Sequence, residues 1–379
     1  MNISRIEIEN YRNIEKMELI PSPGVNIIYG DNAQGKTNLV ESLWLFTGAK
    51  SFRAAKDVNL IRFGTDAARL SLSFQREGRD QCASILLPRK GKKRVQLNYV
   101  ELSGQTSLAG ELYAVVFSPA HLSLVEDGPE LRRRFLDTAI CQLMPRYIDI
   151  LGRYSRVLRQ RNVLLRELRQ AGPHTPPPPG AQDMLEVFDD ALARLSASVI
   201  RARRKYISRL ETAAEQIYSG ISSRSEALRL EYRQGIGEEP PEPQAILEQL
   251  RRGRAADISA AATLTGPHRD DLALFIDQND ARIFGSQGQK RSCVLSLKLA
   301  ESIIIEESSG QRPVILLDDV MSELDASRRD YLLNSLEGKQ VFITCCDTGC
   351  FSAMKSGKCF HISGGALEEK PLEAEKEER

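Results

Sequence analysis

The stretch that decides the fold is Gly30-Asp31-Asn32-Ala33-Gln34-Gly35-Lys36-Thr37, which has the residue spacing of a phosphate-binding P-loop. It follows an apolar run at residues 25–29 and leads into a second apolar-rich segment at residues 39–46. A strand before the loop and a helix after it form the context in which this pattern binds phosphate. The stretch therefore predicts an α/β nucleotide-binding domain, and a glycine-rich turn before an ordinary core helix is the weaker alternative.

The residue types of this loop explain its chemistry. Glycines let the backbone wrap a polyphosphate, so that successive N–H groups and the positive end of the helix face its oxygens. We expect Lys36 to reach the β- and γ-phosphates of ATP and Thr37 to place its hydroxyl on Mg²⁺. The candidate nucleotide-binding residues here are Gly30, Asp31, Asn32, Ala33, Gln34, Gly35, Lys36, Thr37 and Asn38.

The composition limits the classes of protein to consider. A chain of 379 residues exceeds what one hydrophobic core usually fills, so we expect two lobes. The net charge of +1 means that any nucleic-acid binding must come from local patches. The absence of a long apolar run, together with an N-terminus that alternates apolar and charged residues, predicts a cytoplasmic protein with no membrane segment. Seven scattered cysteines and four separated histidines predict neither a disulfide framework nor a zinc site.

The first hundred residues have strand patterns. Residues 3–9 and 16–20 predict a hairpin before the P-loop strand, and residues 68–74 alternate as a further strand does. Residues 82–87 are expected to pair with residues 95–99. The tip between these two strands carries five cations, Arg89, Lys90, Lys92, Lys93 and Arg94. Such cations suit contact with DNA phosphates without sequence readout, and a solvated turn is the alternative.

The middle of the chain is helical. Apolar residues recur at helical spacing over residues 128–170, with a possible break at Met144-Pro145, and over residues 184–219. Stretches rich in proline and glycine at residues 172–180 and 235–243 predict loops. Between residues 151 and 210, 12 lysines and arginines face five acidic residues. This excess indicates either a solvated face or a basic helical arm that binds DNA.

The last hundred residues return to strands. Residues 272–276, 313–317 and 341–344 predict strands, and a long helix is expected to open around Ser286 and to run to about residue 306. The tail from Leu367 carries six acidic and three basic residues with little apolar content, so we expect it to be disordered.

Asp318 and Asp319 follow the apolar strand at residues 313–317. A P-loop needs a carboxylate that helps to hold magnesium, usually at the end of a buried strand, and Asp318 has that position. Asp319 has the position of the acid that orients or activates the attacking water. A helix N-cap is the alternative for such a pair.

A second anion site is indicated at Ser286-Gln287-Gly288-Gln289, where a serine hydroxyl, glycine N–H groups and a helix N-terminus coincide. Because the chain already has a phosphate site in its P-loop, the second site would serve the nucleotide of another subunit. This indicates a homodimer with two composite sites related by a two-fold axis.

The order of these stretches resembles that of the ABC-type ATPases, in which a Walker A loop, a signature motif, a Walker B strand and a D-loop follow one another. The four would be residues 30–37, 286–289, 314–319 and 322–325. Within that class the chain most resembles the RecF family. Further stretches carrying the resemblance are Asn10-Tyr11-Arg12-Asn13, Ser51-Phe52-Arg53, Phe117-Ser118-Pro119, Gly128-Pro129, Arg132-Arg133-Arg134-Phe135-Leu136-Asp137, Gln160-Arg161-Asn162 and residues 266–271.

The resemblance implies an α/β fold: an ABC-type, SMC-like P-loop ATPase head with mixed β-sheets and an inserted, mainly helical lobe, but no long coiled coil. The implied domains are residues 1–118 and 262–379 for the head and residues 119–261 for the inserted lobe. The family dimerises on ATP, binds DNA at gaps and at junctions of single and double strands, hydrolyses ATP slowly, and works with RecO and RecR to load RecA.

The resemblance also implies roles for single residues. Lys36 and Thr37 would bind phosphate and Mg²⁺, Asp318 would bind Mg²⁺, Asp319 would serve the water, and Ser286 would reach the γ-phosphate of the partner's ATP. The other residues implied at the nucleotide are Gly288, Gln289, Asp325 and Arg12.

Two features depart from the general ABC pattern. The strand at residues 341–344 is followed by Cys345-Cys346-Asp347, where a switch histidine is usual, and a Q-loop glutamine cannot be placed. Asp319 is also one carbon shorter than the usual glutamate. These departures favour slow turnover, with ATP acting as a dimerisation switch.

Three other functions fit the sequence less well. The nucleotide-binding subunit of an ABC transporter should carry its signature about 100 residues after the P-loop in that family, whereas Ser286 lies 250 residues after Lys36. A P-loop kinase would need neither the signature nor the D-loop. An SMC-like structural chromosome protein is disfavoured because the predicted helices are too short for a coiled-coil arm.

Overall fold

The computed structural model describes residues 1–53, 56–171, 176, 178–222, 225–236, 242–346 and 357–370. The chain forms two compact units. Unit 1 comprises Met1–Glu126, Ala213–Ala227 and Gly285–Arg379, and unit 2 comprises Asp127–Thr212 and Leu228–Phe284. The domain boundaries expected after residues 118 and 261 remain predictions.

The described strands and helices alternate in a mixed pattern. The strands are β1 (Asn2–Tyr11), β2 (Ile14–Leu19), β3 (Val25–Tyr29), β4 (Ala67–Arg76), β5 (Arg79–Pro88), β6 (Arg94–Leu97), β7 (Val100–Glu101), β8 (Ala114–Phe117), β9 (Leu228–Arg233), β10 (Asp271–Ile276), β11 (Asn279–Asp280), β12 (Val314–Asp318), β13 (Val341–Cys345), β14 (Lys358–Ser363) and β15 (Ala366–Lys370). The helices are α1 (Lys36–Leu45), α2 (Pro119–Leu122), α3 (Pro129–Leu143), α4 (Arg146–Gln170), α5 (Ala181–Ile221), α6 (Pro243–Ala260), α7 (Ala281–Phe284), α8 (Gln287–Ser309) and α9 (Ala326–Ser335).

Unit 1 contains a six-stranded sheet in the order β15-β14-β3-β13-β12-β8. Every pairing in it is parallel except that of β14 with β15. All five residues of β12 and of β13 are buried, as the continuous apolar runs of a parallel sheet require. The P-loop follows β3 and Asp318 ends β12, so both lie at the carboxyl edge of the parallel strands, with β13 between these two strands.

The second sheet of unit 1 is antiparallel, in the order β2-β1-β4-β5-β6-β7. One apolar cluster joins inward residues of this sheet, such as Ile6 and Leu70, to Leu39 of α1 and Leu316 of β12. The alternating pattern of the strands supplies that apolar face. The helix after the P-loop is therefore fixed by the core of unit 1.

Unit 2 contains α3, α4, α6, most of α5 and a small antiparallel sheet in the order β11-β10-β9. Residues of α4, α5 and α6 share a cluster around Tyr154, Ile200 and Leu250. In the part of the chain that the structure describes, no helix is both long and apolar enough to cross a membrane.

Most of the predicted elements are confirmed. The hairpin before the P-loop is β1 and β2, and residues 82–87 pair with β6 as expected. The break at Met144-Pro145 separates α3 from α4, since a proline cannot continue a helical hydrogen-bond ladder. The second helical stretch is a single helix of 41 residues, α5.

Other expectations need correction. The tail was expected to be disordered from Leu367, but residues 367–370 belong to β15, where Leu367 pairs with Ile362 of β14 and packs on the core. The acidic composition of the tail favoured disorder, and the short alternating pattern that marks β15 as a strand was too weak a signal to oppose it. The strand β9 and the helix α6 were not predicted. The expected loops at residues 172–180 and 235–243, the tail beyond residue 370 and Asp347 lie wholly or partly outside the described residues.

Candidate nucleotide-binding site

At Gly30 and Gly35 the P-loop backbone takes conformations that only glycine adopts easily. Gly30 has a φ of 150° and Gly35 a φ of 117°. A Cβ on Gly30 would lie against the carbonyl oxygen of Ile362, and a Cβ on Gly35 would lie 2.9 Å from Oδ1 of Asn13. The loop therefore fits tightly between β14 and the turn after β1, which fixes its shape.

Lys36 is held across the loop that precedes it. Its Nζ donates to the carbonyl oxygens of Gly30 and of Asp31, the latter at 3.0 Å. The side chain is buried at 6% exposure. The ammonium group thus lies over the phosphate-binding turn, where its charge can act on bound phosphate.

Thr37 and Asp318 are in direct contact. Oγ1 of Thr37 donates to Oδ1 of Asp318 at 2.8 Å, and Oγ1 of Thr344 on β13 donates to the same oxygen at 3.0 Å. Burial raises the pKa of Asp318, and the two hydroxyl donors oppose that shift. The hydroxyl and the carboxylate predicted to hold Mg²⁺ are thus adjacent.

This donor set fits magnesium. Mg²⁺ is usually held by one or two protein oxygen ligands together with substrate phosphates and waters. Among the described residues no group of three or more His, Cys, Asp or Glu side chains could hold a metal by itself. The residues present suit an ion that phosphates complete, and not a metal centre made only of protein ligands.

Asp319 has an unusual backbone conformation. Its φ of 53° lies in the left-handed region, which is uncommon for a residue other than glycine. Its N–H donates to Oγ1 of Thr344 at 2.9 Å, and the side chain is partly exposed. Thr344 thereby orients both acidic residues at the end of β12.

Arg12 also lies beside the loop, tied to a residue that sequence reasoning missed. Its Nε and Nη2 donate to the two carboxylate oxygens of Glu41 on α1, at 3.0 and 2.9 Å. The hydroxyls of Tyr11 and Ser51 donate to the same carboxylate. Glu41 is fully buried, and although it is the one acidic residue of α1, it belongs to no motif that would have assigned it a role.

An open cleft of about 550 Å³ adjoins the P-loop. It is lined by Arg12, Asn13, Asn38, Arg53, Arg62 and Phe63. Nδ2 of Asn38 donates to Asn13 at 2.7 Å, and Arg53 donates to Asn38 at 2.9 Å. Of these residues, only Arg12 and Asn38 were predicted site residues.

The remaining loop residues are anchored by neighbouring segments. Nδ2 of Asn13 donates to the carbonyl oxygen of Ala33 at 3.1 Å. Gln34 accepts from the N–H groups of Gly364 and Gly365, at 2.6 and 3.1 Å. These bonds fix the loop from both sides.

Cys346 occupies the place after β13 where a switch histidine is usual. Its Sγ lies 3.5 Å from Nζ of Lys36 and donates to Oδ1 of Asn32 at 3.1 Å. The thiol therefore borders the phosphate-binding turn. Its position after the strand was the available signal, but sequence reasoning assigned it no role.

Ser286 caps the N-terminus of α8. Its Oγ accepts from the N–H of Gln289 at 3.2 Å, and Oε1 of Gln289 accepts from the N–H of Ser286. This capping box leaves the hydroxyl proton of Ser286 able to donate to another group. Nε2 of Gln289 donates to Glu226 at 2.7 Å.

The D-loop is joined to α8 by two arginines. Asp325 caps α9 by accepting from the N–H of Arg328, and it also pairs with that guanidinium. Nε of Arg328 donates to Ser292 of α8 at 2.8 Å, and the guanidinium lies against Gly288. Arg291 of α8 binds Glu323 at 2.8 Å. The predicted signature and D-loop residues thus form one connected surface.

Two separate groups of predicted residues result. The P-loop, Asp318 and Asp319 lie together, while Ser286, Gly288, Gln289 and Asp325 lie together elsewhere in unit 1. Within the described ranges, no hydrogen bond or ion pair joins Ser286 or Gln289 to the P-loop residues 30–37.

The hairpin tip divides into two kinds of cation. Arg89 donates to the carbonyl oxygens of Thr65 and Arg62, and Lys93 pairs with Asp57 at 2.7 Å. Lys90, Lys92 and Arg94 are exposed. Only the last three combine an exposed side chain with neither a side-chain hydrogen bond nor an ion pair to a described residue.

Comparison with known proteins identifies relatives along almost the whole chain. The family model described as the RecF/RecN/SMC N terminal domain matches residues 2–364. "DNA replication and repair protein RecF" of Heliobacterium modesticaldum is 41% identical over 97% of this chain and 99% of that protein. The protein of the same name from Agathobacter rectalis is 38% identical over 97% of this chain and 99% of its own length.

Solved structures of other proteins also match almost the whole chain. The "recombination mediator protein RecF-ATPrS in RecFOR pathway" matches with a TM-score of 0.89 and 34% identity, over 97% of this chain and 98% of that one. An Smc head bound to the C-winged helix domain of ScpA matches with a TM-score of 0.56 and 14% identity, over 98% of this chain and 97% of that one. The second similarity concerns the fold alone.

Proposed function

The chain belongs to the RecF branch of the RecF/RecN/SMC family, and from that premise we propose that it is a DNA repair ATPase that dimerises on ATP. The observation that carries the proposal is the separation of its two predicted phosphate sites. The P-loop group and the Ser286 group each have the chemistry of an anion site, and no described contact joins them. A second copy related by two-fold symmetry would bring one group of each kind together twice.

Each residue of the composite site has a defined task in this proposal. Lys36 and the loop N–H groups bind the β- and γ-phosphates, while Thr37 and Asp318 would hold Mg²⁺, which neutralises phosphate charge during transfer. The carboxylate of Asp319 orients the attacking water. Ser286 of the second copy donates its hydroxyl proton to the γ-phosphate, so that closure of the dimer requires ATP.

The cleft beside the P-loop would take the nucleoside end of ATP. The cleft lies next to the turn that holds the phosphates. Phe63 lines this cleft and is 97% exposed. An exposed aromatic ring beside a polar cleft suits stacking of a base. The guanidinium of Arg12, fixed by Glu41, would face the phosphates from the same cleft.

The short Asp319 side chain and the thiol at Cys346 support slow hydrolysis, because the usual glutamate and switch histidine are both replaced. ATP would then act mainly as a switch that holds the dimer on gapped or junction DNA. The similarity to a RecF protein of the RecFOR pathway supports work with RecO and RecR in loading RecA. No observation favours the transporter or structural chromosome alternatives.

Sedimentation velocity with and without ATP and Mg²⁺ tests the proposal. The wild-type protein is expected to shift from monomer to dimer on adding ATP. Ser286→Arg should block that shift, because the long arginine side chain would occupy the space that the γ-phosphate of the partner's ATP needs. A fluorescent ATP analogue should still bind, because the P-loop is unchanged.

The matched control is Ser308→Arg, the same substitution at an exposed position near the other end of α8. It should dimerise like the wild type. A dimer that forms without ATP, or a Ser286→Arg protein that dimerises normally, would contradict the composite site.

A further inference from the structure

The exposed face of α4 in unit 2 is densely cationic. Seven arginines and no lysine lie on this helix, and only Arg161 points into the core. The six exposed arginines are Arg146, Arg153, Arg156, Arg159, Arg166 and Arg169. The acidic residues of the helix are Asp149 and Glu167. We call the six arginines the α4 face, and it carries a clear excess of positive charge.

Several other exposed arginines of unit 2 form ion pairs with acidic side chains, which sets them apart from the six arginines of the α4 face. Arg252 on α6 pairs with Glu248, Arg194 on α5 pairs with Asp190, and Arg251 on α6 pairs with Glu186. None of the six on the α4 face forms an ion pair with any residue that the structure describes. Ion pairs one turn apart stabilise a solvated helix surface, and the six arginines of the α4 face form none with the described residues.

Two of the arginines are held in matching orientations. Nε of Arg159 donates to the carbonyl oxygen of Ser155 at 3.2 Å, and Nε of Arg166 donates to that of Asn162 at 3.1 Å. They lie seven residues apart, which places them two turns apart on the same side of the helix. Each Nε is used by the helix backbone, and the terminal nitrogens remain for a ligand.

The choice of arginine and the length of the helix suit a phosphate backbone. Arginine binds phosphate through two parallel N–H groups, which makes it the usual residue for such recognition. The 25 residues of α4 extend over about 37 Å, close to the roughly 35 Å of one turn of duplex DNA.

The remaining residues of the helix favour a duplex over a single strand or a membrane. Single-strand sites stack bases on aromatic rings, but both tyrosines of the fully described helix α4, Tyr147 and Tyr154, are buried. Val163 is the one large apolar side chain exposed on it, which is too little for insertion into a lipid surface.

We propose that the α4 face is a binding surface for the phosphate backbone of double-stranded DNA. The surface acts without base readout, since arginines on a regular helix face meet phosphates at any sequence. The inference rests on the proposed DNA-binding function and names the part of the chain that carries it.

The test compares two double variants of the full chain. Arg159→Gln with Arg166→Gln removes two unpaired charges from the α4 face. Arg194→Gln with Arg252→Gln removes the same charge from exposed, ion-paired positions in the same unit, with side-chain exposures of 72% and 82%. Glutamine keeps the helix propensity in both. Binding of a labelled 30-base-pair duplex is measured over a series of salt concentrations, with ATP and Mg²⁺ present.

The α4 variant should bind the duplex about tenfold more weakly at low salt, and its slope of log K against log salt should fall by roughly 0.9 for each lost phosphate contact. The control should match the wild type. Equal binding of the duplex by both variants would overturn the inference while leaving DNA binding in place. A loss of affinity seen only for a single strand of the same length would also overturn it. A wild-type protein that binds no duplex would instead overturn the proposed function.

Discussion

Oγ1 of Thr37 lies 2.8 Å from Oδ1 of Asp318, although the two residues are 281 positions apart in the sequence. Thr37 lies in the first turn of α1, and Asp318 is the last residue of β12. The parallel order of β3, β13 and β12 brings them together, since the carboxyl ends of parallel strands meet at one edge of the sheet. This contact makes the P-loop and the Walker B strand a single site.

Asp318→Asn should weaken the effect of magnesium more than it weakens nucleotide binding. The amide oxygen can still accept from Thr37 and Thr344, so the fold is kept, but the negative charge that attracts Mg²⁺ is lost. The measurement is titration of a fluorescent ATP analogue with Mg²⁺ and with EDTA. We expect at least a tenfold smaller gain in affinity from Mg²⁺ than in the wild type.

Asp80→Asn, at an exposed position on β5, is the control and should retain the full response to magnesium. An Asp318→Asn protein whose affinity for the analogue still rises with Mg²⁺ as in the wild type would rule out Asp318 as a magnesium-binding residue.

The exposed cations of the hairpin tip should contribute to DNA affinity separately from the α4 face. Lys90→Gln with Lys92→Gln is expected to reduce the slope of log K against log salt by about 1.8 if both lysines touch phosphates. Lys93 is unsuitable for the same test, because it pairs with Asp57 and its loss would also disturb the hairpin. A salt slope equal to that of the wild type would mean that the tip is a solvated turn.

The sequence predicted the parts of this protein that depend on local spacing. The P-loop between β3 and α1, the start of a helix around Ser286 and the break at Pro145 each follow from a few adjacent residues, so a single sequence was sufficient. Glu41 and Arg12 could not be paired in advance, because their contact joins residues 29 positions apart through the packing of α1 on the sheet.

The same limit applies to the charged helices. The excess of lysine and arginine over acidic residues between residues 151 and 210 indicates a basic surface, but it does not show which of these cations are neutralised by ion pairs. Arg194 pairs with Asp190 one turn away on the same helix, whereas Arg251 of α6 pairs with Glu186 of α5 only because the fold brings the two helices together. The charge of a surface can be estimated from sequence, whereas its balance depends on tertiary structure.

Arg161→Met should destabilise unit 2 strongly. The guanidinium is fully buried and binds Asp189 at 2.7 Å and Asp257 at 2.6 Å. Removing one partner of a buried ion pair leaves an uncompensated charge and costs about 3–5 kcal/mol. Urea denaturation followed by circular dichroism measures the loss.

Arg161→Met combined with Asp257→Asn should recover part of that loss, because the second change removes one of the stranded carboxylates. A single variant within about 1 kcal/mol of the wild type would show that Arg161 does not stabilise this core through its charge.

His268 should make the stability of unit 2 depend on pH. Its Nε2 donates to the carbonyl oxygen of Thr263 at 3.0 Å, which leaves Nδ1 to accept from the hydroxyl of Tyr154. Burial lowers the pKa of His268 below its ordinary value of 6.5, and Arg269 and Arg133 add to the shift. The folded state therefore favours the neutral ring.

Because the folded pKa is the lower one, the stabilisation is complete above pH 6.5 and is lost as the pH falls below 6.5, where the unfolded chain takes up a proton that the folded chain does not. The wild type should lose stability in that range relative to His268→Gln, which cannot titrate, with about 1.4 kcal/mol per pH unit as the upper limit of the slope. Urea midpoints of both proteins at pH 7.5 and pH 5.5 measure the difference. Parallel losses in the two proteins would show that His268 titrates alike in the folded and unfolded states.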